Sequence, residues 1–167
     1  MRWEIYILAV MLASLVVAVE TVYAMADHRR ARTFGLITLF GVVGFPVAVV
    51  VHNVVSALLG SDEAVSFIVG AVIAPAAMTI GALGVAFTFR TTNAIAGLGF
   101  ALFGLGLAIF PAYLVTALTA TAVGGELPAQ EGFQTTMLFA SLIAIAAGVI
   151  ASAFGLAGAR ARVEPAI

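Results

Sequence analysis

The chain has no cysteine and no lysine, only two histidines, and charged side chains on just 9% of its 167 residues. Each shortage removes a class of chemistry. Without Cys there is no disulfide, no thiolate metal site and no thiol redox pair. Without Lys there is no Schiff base, which excludes retinal-type photochemistry and pyridoxal-type catalysis. Two histidines, His28 and His52, are too few to build a metal site, and paired-histidine haem ligation needs a second intramembrane His that the chain lacks. Only His52 with Met78 or Met137 would offer a His/Met pair, so neither cofactor nor metal is expected. Seven Arg against eight acidic residues, all scattered, give no electrostatic footprint for nucleic acid.

What is present is apolar. Hydrophobic residues make up 63% of the chain, against about 45–50% in a soluble domain. That leaves too few charges to cover a water-facing surface and predicts an integral membrane protein. A bilayer core of about 30 Å needs roughly 20 apolar helical residues, and five such runs occur, at about 3–25, 34–59, 65–89, 94–121 and 134–158. The expected fold is an all-α bundle of five transmembrane helices in a single domain, with no soluble domain. The first run, with Arg2 and the small-residue pattern Ala24-Met25-Ala26, also has the outline of a cleavable signal. Glu4, the length of the apolar run and the arginines that follow it argue instead for a retained helix.

Arginine placement gives an orientation. Arg29, Arg30, Arg32, Arg90, Arg160 and Arg162 fall on one side of a five-span chain, and only Arg2 on the other, with Asp62, Glu63, Glu126 and Glu131. The positive-inside rule then predicts an outside N-terminus and a cytoplasmic C-terminus in a multi-pass cell-membrane protein. Trp3, Tyr6, Phe67 and Phe133 fall near the outer ends and Tyr23, Phe34, Phe87 and Phe89 near the inner ends, as interfacial belts would.

Small residues mark where membrane helices approach closely. In the fifth run Ala147, Ala151 and Gly155 recur every four residues, a stripe for internal packing or for a second copy or partner membrane subunit. Pro46, Pro75 and Pro111 lie deep in the second, third and fourth runs, where each removes a backbone hydrogen bond and predicts a kink. The strings LFGVVGFP at 39–46 and LFGLGLAIFP at 102–111 suggest a parallel repeat of helical hairpins, with the first helix added. Their unequal lengths leave its register open.

Polar groups inside a span are costly and so point to function. His52, Asn53 and Ser56 project from neighbouring positions on one helix face. Tyr113 and Ser141 fall at a similar depth, about 12 Å below the outer surface at roughly 1.5 Å per residue. Together they predict a polar pocket in the outer half, with His52 as its titratable member. Glu20, near the inner end of the first run, is a second intramembrane ionisable group, either a proton-relay carboxylate or, the favoured expectation, a partner of Arg90 or Arg160. His28, beside Arg29 and Arg30, reads as a solvated loop residue. No two carboxylates lie deep in one span and no Gly-x-Ser-x-Gly elbow accompanies His52, so an enzyme is not expected. The leading expectation is a non-catalytic accessory or structural subunit of a membrane assembly. The alternative is a small transporter or channel.

Overall fold

The computed structural model describes the backbone of residues 3–59, 73–122 and 130–160, and the side chains of residues 8–24, 26, 28–44, 47, 54, 73–109, 112 and 135–159. Five helices and no strand occur among the described residues: α1 (Trp3–Asp27), α2 (Ala31–Leu59), α3 (Ala74–Phe89), α4 (Ala94–Ala122) and α5 (Gln130–Arg160). Residues 65–72 of the expected third run lie outside the described residues. One described segment, Thr135–Ala159, is long and apolar enough to cross a membrane; Leu8–Ala24, Ala31–Gly44, Ala74–Phe89 and Ala94–Ile109 are shorter apolar stretches.

Each helix packs on its chain neighbours, and α1 closes the ring against α5. The seam between α4 and α5 is the most extensive, and the two seams made by α1 are the thinnest. Short connections of three residues (28–30) and four (90–93) force antiparallel neighbours. Asn93 starts α4: its Oδ1 accepts from the Ala96 amide at 3.2 Å, an N-cap, while its Nδ2 donates to the Gly155 carbonyl of α5 at 2.8 Å. The His28 ring meets Phe89 edge-on at 4.6 Å, so the two short connections lie together, and Arg29, Arg30, Arg32 and Arg90 gather at this end.

The core is apolar, with Phe100, Phe103, Met78 and Ile145 buried, but the outer surface is apolar as well. Phe154 is 73% exposed, Phe40 69% and Ile143 68%, whereas Thr21, Thr38, Ser141 and Ser152 are wholly buried. Of the aromatics expected at the inner interface, Tyr23 and Phe87 are exposed and Arg90 lies 3.8 Å over the Phe87 ring. Phe89 differs: it is a core residue stacked on Phe100, because it sits where α1, α3 and α4 converge on the His28 contact.

The seams are built on close approach at glycine, and they repeat. A Cβ on Gly41 of α2 would lie 2.7 Å from both the Ala74 carbonyl oxygen and the Met78 nitrogen of α3. A Cβ on Gly106 of α4 would lie 3.0 Å from the Ser141 oxygen and 2.9 Å from the Ile145 nitrogen of α5. The same correspondence holds in reverse. Gly81 of α3 faces the Phe34 oxygen and Thr38 nitrogen, and Gly148 of α5 faces the Gly99 oxygen and Phe103 nitrogen. Every pair matches on moving 65 residues from α2 to α4 (41 to 106, 34 to 99, 38 to 103) and 67 from α3 to α5 (74 to 141, 78 to 145, 81 to 148). The hairpins α2–α3 and α4–α5 therefore pack alike. The register is the one that aligns Pro46 with Pro111; aligning the LFG triplets fails, since Gly104 faces α3 rather than α5.

The backbone runs helically through positions 46 and 111, whose side chains lie outside the described ones. Pro75, expected deep in a span, is the second residue of α3 as described; Ile73 before it is also helical, at φ −67° and ψ −48°, and residues 60–72 lie outside the described residues.

Candidate functional site

Of the outer-half pocket, only Ser141 is described. It is buried in the α4–α5 seam and its hydroxyl donates to the Gly106 carbonyl at 2.7 Å. His52, Asn53, Ser56 and Tyr113 lie outside the described side chains. Gly155, one member of the expected partner stripe, is buried inside the chain against Ala96; Ala151 is half-buried, and Ala147 is exposed.

The polar site that the structure describes lies toward the arginine-bearing end and centres on Glu20, which is 5% exposed. Among the described residues its partner is a serine, not Arg90. The Ser152 hydroxyl of α5 contacts Glu20 Oε2 and also lies 2.8 Å from the Gly148 carbonyl and 3.0 Å from that of Val149. Arg90 is turned outward onto Phe87, and the Arg160 side chain lies outside the described ones. A hydroxyl carries one hydrogen and two lone pairs. Ser152 can therefore donate to an ionised Glu20, or accept from a protonated one while donating to Gly148, without moving.

Sequence reasoning missed Ser152, Ser14 and Thr21. The inward stripe of α1 runs Val10, Ser14, Val17, Thr21, Ala24, at alternating spacings of four and three, with Glu20 beside Thr21. Glu20 Oε1, Ser14 Oγ, Thr21 Oγ1 and, one step beyond the helix, His28 Nδ1 are buried atoms with no hydrogen-bond partner among the described residues. His28 is thus half-buried on Phe89 rather than a solvated loop residue. Elsewhere in the chain helical hydroxyls bond back to their own backbone: Thr38 to Phe34 O and Thr88 to Gly84 O, each at 3.0 Å. Ser14 and Thr21 do not. A fifth such atom, Thr79 Oγ1, lies on α3.

No group of three or more His, Cys, Asp or Glu able to hold a metal occurs among the described residues. Compared with known proteins, the chain matches no family model, no curated protein and no solved structure.

Proposed function

We propose that the chain is a multi-span protein of the cell membrane, N-terminus outside and C-terminus cytoplasmic, acting as a non-catalytic structural or accessory subunit of a membrane assembly. What supports the membrane reading is the outer surface: large apolar side chains face outward on all five helices, while several hydroxyls and the Glu20 carboxyl are buried with the apolar core. In water that arrangement would expose apolar surface and desolvate polar groups together; in lipid it does neither. Helices of 25, 29 and 31 residues reach roughly 37–46 Å at about 1.5 Å per residue, beyond the hydrocarbon core of about 30 Å. The arginine-bearing end fits the cytoplasmic face. What supports the subunit reading is α5, whose outward face alternates Ala147 with Ile143, Ile150 and Phe154, a surface on which another helix can pack.

The cysteine-free chain makes the topology directly testable. Single substitutions Arg30→Cys and Thr91→Cys should react with an impermeant thiol reagent from the cytoplasmic side only, and Ser61→Cys from the outside only. Labelling of all three from the same side refutes the five-span reading. For the subunit role, a photo-cross-linking residue at Ile143 or Phe154 in native membranes should yield one adduct of defined mass. Adducts with lipid alone at both positions refute it.

One observation favours a second reading, a small transporter: the buried Glu20 carboxyl with an unpartnered oxygen. It would work with the outer-half groups His52, Asn53, Ser56, Tyr113 and Ser141. Solute or proton flux in vesicles that is unchanged by His52→Ala would remove that residue from the reading.

A further inference from the structure

We propose that the inward stripe of α1, from His28 through Thr21 and Glu20 to Ser14, holds a file of water reaching in from the arginine-bearing end, and that Glu20 is a proton-binding site fed by it. The inference rests on the multi-span membrane reading and deepens its second, transporter form.

Buried polar atoms in folded chains are almost always partnered, by protein or by ordered water. Four of the five unpartnered buried atoms among the described residues belong to α1 and to the residue that follows it. Ser14, Thr21 and His28 are seven residues apart, two helical turns, with Glu20 beside the middle one. That stretch spans about 21 Å at about 1.5 Å per residue. Because the α1 hydroxyls leave their own backbone unbonded, they keep donor and acceptor capacity for a molecule inside the bundle. Water fits that mixed donor and acceptor capacity; an apolar ligand does not.

Among the described side chains no charge offsets Glu20 from the elements packed on α1, the Arg160 side chain of α5 lying outside them. α5 presents the Ser152 hydroxyl; on α2, Arg32 is exposed and Thr38 is bonded to Phe34; Arg90 of α3 is stacked outside on Phe87; His28 is eight residues away on the same stripe. A hydronium at the file gives its proton to the carboxylate of Glu20, leaving a carboxylic acid and a water, and release reverses the step. Oε1 is the oxygen open to the file. Ser152 is the positioning residue, since its hydroxyl can hold Oε2 in both states.

Two measurements on the full chain in liposomes test this. The first is the infrared stretch of the protonated carboxyl, followed against pH at fixed sodium. One band should titrate, be lost in Glu20→Gln, exchange with deuterated water and shift in Ser152→Ala. A Glu20 band that ignores pH overturns the proposal, as does one that responds to sodium at constant pH, which would make the site a cation site. The second uses Ser14→Cys and Thr21→Cys against lipid-facing Leu15→Cys. Thiolate formation needs water, so a cationic methanethiosulfonate should modify positions 14 and 21 roughly tenfold faster than 15. Equal protection of all three overturns the file. Extraction of the chain from the vesicles by alkaline carbonate would overturn the membrane reading itself, which neither of those results does.

Discussion

Replacing Gly148 with Ala tests the packing on which the bundle depends. The added Cβ would meet the Phe103 backbone nitrogen and lie 2.8 Å from both the Gly99 carbonyl oxygen and the Phe103 Cα. These are backbone atoms, which cannot swing aside. To regain ordinary contact at 3.4 Å, α4 and α5 must part by more than half an ångström. A gap of that size forfeits a quarter to a half of each dispersion contact across the seam. The bonds from Ser141 to Gly106 and from Asn93 to Gly155, which lie on either side of Gly148, would lengthen with it. Alanine is the better helix former by about 1 kcal/mol, so the overpacking cost of about 1–3 kcal/mol sets the sign. Gly158 is the control, because a Cβ there meets nothing within 4 Å and only the propensity gain remains. Unfolding in mixed micelles should show Gly148→Ala destabilised by up to about 2 kcal/mol, the overpacking cost less the propensity gain, and Gly158→Ala unchanged or stabilised. Equal stability of the two variants refutes the close approach.

The hairpin correspondence predicts that Gly81→Ala, the counterpart of Gly148→Ala, destabilises by a similar amount in the same assay; a neutral result would break the equivalence. Ser141→Ala removes the buried bond to Gly106 and should cost about 0.6–1.7 kcal/mol in micelle unfolding. Asn93→Ala removes both the α4 cap and the link to α5, a loss of about 1–2 kcal/mol that Asn93→Asp, which can keep the cap alone, should only partly recover. Amide hydrogen exchange should release residues 14–24 of α1 before residues 99–107 of α4 and 141–152 of α5, since α1 has the thinnest seams; equal protection refutes that order.

Much of the helical layout is legible in the sequence because apolar runs and charged breaks set it. α2 begins at Ala31 rather than Phe34, since Arg32 and Thr33 are helical but exposed, which a hydrophobic run cannot reveal. The inward faces were harder to read. When every side of a helix is apolar, periodicity carries no direction, and the four-residue spacing of Ala147, Ala151 and Gly155 winds around α5 instead of following the seam. The seam residues are Ser141, Ile145, Gly148, Ser152 and Gly155, alternating fours and threes as antiparallel helices at a shallow crossing angle require. Glu20 was legible as a carboxyl set within an apolar run; its partner Ser152 was not, being 132 residues away and packed there only by ring closure.

That closure explains why the polar stripe sits on α1. Helices α2 to α5 all carry glycine, and the matched hairpins use it to bring backbones into contact. α1 has none between Trp3 and Asp27 and falls outside the repeat. A helix without glycine cannot approach its neighbours as closely, so its seams with α2 and α5 are the thinnest in the ring. Thin seams leave inward hydroxyls without carbonyls to bond, and it is here that Ser14, Thr21 and the Oε1 atom of Glu20 are found. The four glycine-bearing helices thus form the closely matched frame, and most of the unpartnered buried polar atoms among the described residues fall on the helix outside it.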